Sequence, residues 1–299
     1  METINLILIG AAFLLSMGFT VFSIKRLGNL GIVARDLHKE NSPKRPKIGG
    51  IGISAAFSIV LVLFYALDGS FTTLVILLAF LVQAAIGLMD DLLAFKPWRK
   101  LILASFGAIP LLFLTDLNPF AIIFVFAAVT IASNWTNMVA GFNGLEAGMG
   151  AIMLTFLALN TGAQHTQAIL LIYAAVLAGF LIFNKYPAKI FPGDSGTLPI
   201  GAVLVGATLI GAPFYKLAIL LIPYAIDAAL KFTSFGIMSS SMTKPTEVKN
   251  GYLVMPKEGA KSYLSLSRLI LSFRSMREWE LVFTVWTIEI IIGMLTLII

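Results

Sequence analysis

Ten stretches of fifteen to twenty-five mostly apolar residues, separated by short polar breaks, limit what this chain can fold into. They cover about 4–24, 49–67, 71–89, 100–115, 119–138, 149–163, 166–184, 198–212, 214–238 and 280–299. A helix needs roughly 20 apolar residues to cross a hydrocarbon core. Lipid offers no hydrogen bonds, so only helices and closed barrels satisfy their own backbone there. Several stretches are short, which implies thin or broken helices near a site. A soluble domain cannot hide a composition of 59% hydrophobic and 12% charged residues, because its outside must face water. The expected fold is all-α: a single polytopic membrane domain over 1–299 with about ten transmembrane helices. Its one sizeable extramembrane loop is 239–279, rich in Ser, Lys and Arg. Within it, 262–279 is expected to form an amphipathic helix on the membrane surface, its Arg side chains toward anionic headgroups.

Charge placement orients the chain. Nineteen of the 21 Lys and Arg residues fall in the loops after odd-numbered stretches. The opposite loops hold little beyond Asp68 and Asp116. By the positive-inside rule the basic loops are cytoplasmic and both termini lie outside. Glu2 precedes the first stretch and Lys25-Arg26 follow it, the reverse of a signal peptide's charge order, so it reads as an uncleaved anchor. The net charge of +6 does not imply a nucleic-acid partner, since the basic residues sit in short loops between apolar spans. With no cysteine, disulfides and thiolate metal sites are excluded.

Four polar constellations fall on the basic-loop side. Asp90-Asp91 close the third stretch. Two adjacent carboxylates at a helix C-terminus oppose both each other and the helix dipole, so they need a cation; Lys96, Arg99 and Lys100 follow, and local ion pairs at a solvated terminus are the alternative. Asn134-Trp-Thr-Asn137 leads into Ala140-Gly-Phe-Asn143-Gly-Leu-Glu146. The two Asn share a helix face, and an Asn/Gly-rich break between spans usually lines a cavity; a polar helix contact plus a turn is the alternative. Phe191-Pro-Gly-Asp194-Ser-Gly196 offers an Asp beside helix amides, suited to Mg²⁺ and phosphate, or else a plain N-cap. Asp227 and Lys231, four apart within a span, form either a functional intramembrane site or a structural pair. His38 and His165 fall on opposite faces and cannot share a zinc. Carboxylates and carboxamides among cations suit Mg²⁺ and phosphate, hence phosphoryl transfer at a membrane surface with a lipid as one substrate.

With these motifs the chain resembles the polyprenyl-phosphate N-acetylhexosamine-1-phosphate transferases, nearest the eukaryotic and archaeal dolichyl-phosphate GlcNAc-1-phosphotransferases. The resemblance rests on Asp36-Leu-His-Lys39 with Pro46 and Gly50, Asp90-Asp91 with Lys100, Asn134-x-x-Asn137 running into AGFNGLEAG, and FPGDSG. It implies transfer of a sugar-1-phosphate, most simply GlcNAc-1-phosphate, from a UDP-sugar to dolichyl or polyprenyl phosphate. UMP leaves, and the product is a lipid-pyrophosphate-linked sugar of the kind that begins N-glycan assembly. It also implies that Asp194 and Asn137 bind Mg²⁺, with Mn²⁺ as an alternative. Asp90 and Asp91 flank the reacting phosphates, and Lys100 holds lipid phosphate. Phe191, Asn143 and the Leu37 backbone surround the uracil. Relatives are often homodimers, and no motif in this chain decides its own state. Two departures stand out. Met242-Thr-Lys-Pro245 replaces a His- or Arg-rich motif, leaving Lys244, Lys249 or Lys257 to meet pyrophosphate and sugar, and Lys47 stands where relatives carry a glutamate. The alternatives are the same chemistry with another UDP-sugar, a transporter or flippase, and a non-catalytic scaffold. Midplane sites and internal repeats, common in transporters, are not visible in this sequence.

Overall fold

The computed structural model describes residues 2–139, 141–235, 246–255 and 264–299. Its long helices are α1 (Glu2–Asn29), α2 (Gly50–Asp68), α3 (Phe71–Leu93), α6 (Pro119–Met138), α8 (Gln164–Asn184) and α13 (Glu278–Ile298). Between them lie α4 (Pro97–Ser105), α5 (Ala108–Leu111), α7 (Leu145–Leu159), α9 (Asp194–Leu209), α10 (Phe214–Leu220), α11 (Ile222–Phe235) and α12 (Leu266–Phe273). Each of the ten apolar stretches is helical over most of its described residues. Among the described residues seven segments are long and apolar enough to cross a membrane, counting Pro97–Leu114, in which α4, α5 and a 3₁₀ turn follow one another, as one. An eighth is the pair α10 and α11, bent by 53°. Pro223 lies at the bend; its missing N–H is tolerated only at the start of a new helix. The other two stretches are the shorter helices α7 and α9, of 15 and 16 residues. At 1.5 Å per residue, α9 spans roughly 24 Å, less than the hydrocarbon thickness of about 30 Å.

The outside of the bundle is apolar. Phe120 is 85% exposed and Ile298 82%, as lipid contact permits and water does not. The chain is an integral membrane protein. α9 is buried almost without interruption from Ser195 to Ala207, the mark of a central helix apolar on every side. It packs against α3 and α6. A histidine-centred polar cluster lies near each end of the bundle. At one end His165 pairs with Asp68 at 2.8 Å and stacks on Phe64. At the other, His38 stacks on Phe142 and bonds Thr246 at 3.0 Å. The histidines are therefore separate, as expected.

Two expectations need correction. Besides helices the loops hold two antiparallel hairpins, β1 (Val33–Arg35) with β2 (Lys44–Pro46), and β3 (Glu247–Lys249) with β4 (Tyr252–Val254). The amphipathic helix is also shorter than 262–279, and 262–263 lie outside the described residues. α12 spans eight residues behind a Ser265 cap that accepts from Arg268 N–H at 3.2 Å. Arg268 is buried rather than turned to headgroups, while Arg274 and Arg277 lie beyond the helix end. There Met276 bridges to Leu253 of β4, so its backbone bonds go to a strand instead of a further turn.

Asp227 and Lys231 take the structural role. Lys231 Nζ lies 2.6 Å from Asp227 Oδ2 and also donates to the Met138 carbonyl at the end of α6. Asp227 Oδ1 accepts from Leu266 N–H at 2.9 Å. The pair thus ties α11 to α6 and α12. Lys231→Met leaves a buried carboxylate without its counter-charge, and about 3–5 kcal/mol of stability should be lost. Adding Asp227→Asn should recover most of it. Thermal unfolding in detergent measures both, and an undestabilised single variant contradicts the assignment.

Candidate active site

The site is built where the C-terminal ends of α3 and α6 meet the first turns of α4 and α9. α3 closes on Ala94, whose left-handed φ of 51° and N–H bond to the Asp90 carbonyl at 2.8 Å reverse the chain. α4 begins three residues later on Pro97, so Lys100 folds back over the end of α3. Lys100 Nζ lies 3.0 Å from Asp90 Oδ2 and pairs with Asp194 Oδ2. The hydrogen-bond network orients the Asn137 amide. Its nitrogen donates to Thr197 Oγ1 at 2.6 Å and Asp194 Oδ1 at 2.8 Å, and its oxygen accepts from Lys100 Nζ at 2.6 Å. Three acceptor oxygens from three helices therefore surround one ammonium group.

Asp91 does something different. Its Oδ1 accepts from Asp194 N–H at 3.0 Å, and its Oδ2 accepts from Ser195 N–H at 3.1 Å and Ser195 Oγ at 2.8 Å. It caps α9 from across the bundle, placing negative charge where the helix dipole is positive. Gly193, just before α9, has φ of 66°, and a Cβ there would lie 2.5 Å from Asp91 Oδ2. Only glycine fits that turn beside that carboxylate. Lys47 Nζ donates to the Asp91 carbonyl at 2.9 Å. Segment 46–50 clasps the same loop, through Phe191 N–H to Pro46 O at 2.9 Å, Gly49 N–H to Phe191 O at 2.8 Å and Gly50 N–H to Pro192 O at 2.7 Å.

A second polar knot lies along the same segment. Asn143 is buried, its Nδ2 donating to Asp36 Oδ2 at 3.0 Å and its N–H to Glu278 Oε1 at 2.7 Å. Lys39 pairs with Glu278 and lies 3.4 Å from Asp36.

The structure thus brings together Asp90, Asp91, Lys100, Asn137 and Asp194. Asn143 sits in the second knot, with Leu37 exposed beside Asp36, and Phe191 bridges to the first through its backbone. Asn134 stays on its own helix, donating to the Thr130 carbonyl at 2.8 Å. Lys249 is an exposed residue of β3, 3.4 Å from Glu247 and joined to neither cluster. Lys244 and Lys257 lie outside the described residues. Sequence reasoning missed Glu278, which looked like an ordinary acidic first turn of the last helix. It also gave Lys47 no contact and Thr197 and Ser195 no part.

The donor set fits a hard divalent cation. Asp90, Asp194 and Asn137 offer only oxygen, the ligand chemistry of Mg²⁺ and Mn²⁺, and they already surround a positive charge in Lys100. Among the described residues no group of three or more His, Cys, Asp or Glu side chains is arranged to hold a metal ion by itself. Asp91 is turned to the α9 amides, so the set is two carboxylates and a carboxamide. Mg²⁺ commonly completes such sets with water and substrate phosphate.

Residues 73–212, which carry this cluster, match the model of glycosyl transferase family 4. A protein of Methanocaldococcus jannaschii, provisionally named a glycosyltransferase, is 39% identical over 96% of this chain and 94% of its own length. One from Saccharolobus solfataricus is 34% identical over the same shares, and its provisional name is UDP-N-acetylglucosamine–dolichyl-phosphate N-acetylglucosaminephosphotransferase. A phospho-N-acetylmuramoyl-pentapeptide-transferase of Prochlorococcus marinus is 31% identical over 66% of this chain and 62% of its own. Matched along nearly its whole length by the M. jannaschii and S. solfataricus proteins and over residues 73–212 by the family model, the chain belongs to glycosyl transferase family 4.

Proposed function

We propose that this protein transfers a sugar-1-phosphate from a UDP-sugar to a polyprenyl phosphate, with GlcNAc-1-phosphate and dolichyl phosphate as the favoured pair. The observation that carries this reading is the oxygen cage of Asp90, Asp194 and Asn137 around Lys100, at the bundle end that holds most of the basic loops. The provisional name of the S. solfataricus relative carries that pair, the name of the P. marinus relative supports phosphosugar transfer with another sugar, and that of the M. jannaschii relative goes no further than glycosyltransferase. On the positive-inside rule that end faces the cytoplasm, where nucleotide sugars are made.

In the reaction a phosphate oxygen of the lipid attacks the β-phosphorus of the donor. The bond between that phosphorus and the bridging oxygen breaks, and its electron pair leaves with UMP. Two phosphate-bearing anions repel each other, so positive charge must meet both. Lys100 supplies one such charge. Asp194, Asp90 and Asn137 are the residues that would hold a divalent cation, which when bound neutralises phosphate oxygens and orients them. A phosphomonoester is mostly dianionic at neutral pH, its second pKa being about 6, so the acceptor needs little help from a base. The Asp91 carboxylate is occupied by three donors of α9, which supports a positioning role for it. Phe191, Asn143 and the Leu37 backbone are assigned to the donor's base.

The test is a product assay on purified protein in detergent, with polyprenyl phosphate, Mg²⁺ and a panel of UDP-sugars. Release of UMP with a pyrophosphate-linked lipid sugar supports the reading, and the panel names the sugar. UDP release means ordinary glycosyl transfer. No product from any donor favours a transporter. In the same assay Lys100→Ala should raise KM for the lipid phosphate at least tenfold, and raise KM for the UDP-sugar less. Equal loss of both rules out the assigned role of Lys100.

A further inference from the structure

The loop after α6 turns its donors inward onto three carboxylates. Gly141 N–H goes to Glu146 Oε1 at 3.1 Å, Asn143 N–H to Glu278 Oε1 at 2.7 Å, and Asn143 Nδ2 to Asp36 Oδ2 at 3.0 Å. Asp36 and Asn143 are each only 4% exposed. Lys39 supplies the counter-charge that a buried carboxylate requires: it pairs with Glu278, lies 3.4 Å from Asp36, and sits 4.2 Å from the Tyr186 ring centre. An ionised carboxylate only accepts hydrogen bonds. Asp36 can therefore be met by the NH₂ end of the Asn143 amide and not by its oxygen. Of the two orientations open to that amide, one is selected, and Oδ1 is left as an acceptor on the side away from Asp36.

An acceptor at that position discriminates between bases. Uracil carries a hydrogen on N3, which Oδ1 can accept. Cytosine carries a lone pair there, which Oδ1 opposes. A site built around a hydrogen bond rejects a ligand that leaves its buried polar group unpaired far more strongly than an apolar pocket rejects a small change of shape.

We propose that Asp36 is a specificity-determining residue, which fixes the Asn143 amide so that the base subsite takes uracil and refuses cytosine. This rests on the reading that Asn143 contacts the donor's base. Asp36→Asn keeps the size of the side chain but can donate or accept, so the Asn143 amide is free to present either end.

The experiment is isothermal titration of UDP and CDP into the full-length protein in detergent with Mg²⁺. It compares wild type, Asp36→Asn and Asn143→Ala. Wild type should bind UDP at least tenfold tighter than CDP, and Asp36→Asn should lose at least tenfold of that ratio. The two ligands share ribose and diphosphate, so general damage to the site cancels in the ratio. An unchanged ratio in Asp36→Asn overturns the proposal even if both affinities fall. Should that variant not fold, Asp36→Ser frees the amide in the same way and is judged by the same ratio. If wild type prefers UDP but Asn143→Ala keeps the preference, the base contact is misassigned and the proposal falls with it. If wild type binds neither nucleotide, the nucleotide-donor function itself is wrong.

Discussion

Asp194→Ala should abolish sugar-phosphate transfer, lowering kcat by about 10³-fold or more, equivalent to roughly 4 kcal/mol of transition-state stabilisation. Among the described residues Asp194 is the one carboxylate in contact with both Lys100 and Asn137. Its loss removes an oxygen donor and leaves Lys100 with Asp90 and Asn137 alone. Asp194→Asn keeps the shape and an acceptor oxygen but loses the charge, and should be nearly as inactive. Both variants should keep the fold, because the backbone N–H of residue 194 still donates to Asp91. UMP release measures the activity, circular dichroism the fold, and the electron spin resonance of added Mn²⁺ the cation affinity, which should fall alongside activity. Asp194→Ala retaining a tenth of wild-type turnover, or full Mn²⁺ affinity, contradicts the assignment.

Asp91→Ala should lose stability and activity together, which separates it from Asp194. Removing the carboxylate strands two backbone N–H groups and one hydroxyl at the start of a buried helix. Leaving such a donor unpaired costs about 1–3 kcal/mol each, and bonds to an ionised acceptor lie toward the upper end. An unfolding free energy lower by about 3 kcal/mol or more is expected. kcat should also fall by at least about 10²-fold, since the Gly193-Asp194 turn then loses its anchor and small displacements of reacting groups cost that much. Asp91→Asn should fall between, because its amide presents an acceptor to one donor and an NH₂ group to another. An Asp91→Ala protein as stable as wild type yet inactive contradicts the capping role, and Asp91 then acts on the reactants directly.

Adjacent and identical in sequence, Asp90 and Asp91 show what the chain order leaves open. Both read alike as acids at a helix end needing a cation. In the fold Asp90 meets Lys100, and Asp91 meets the amides of a helix that begins 103 residues later. A helix rotates its side chains by about 100° per residue, so neighbours face different partners, and which partners those are depends on how helices pack. Glu278 was missed for the same reason: its partner Asn143 is 135 residues away. The shortness of α7 and α9 was legible in outline from the length of their apolar runs, whereas the break between α10 and α11 was not, since 214–238 reads as one continuous apolar stretch. The hairpins β1–β2 and β3–β4 were not, since three-residue strands carry too little pattern to distinguish from loop.

Sequence alone determined that this chain is a helical membrane protein with its acids, amides and lysines at one end of the bundle. Hydropathy and charge are summed over local windows, and the bilayer reads them that way. Only the tertiary structure decided that Asp90, Asp194 and Asn137 converge on the Lys100 ammonium, that Asp91 holds the start of α9, and that the Asn143 amide meets Asp36. Those contacts join groups far apart in the chain, and their geometry exists only once the helices have packed.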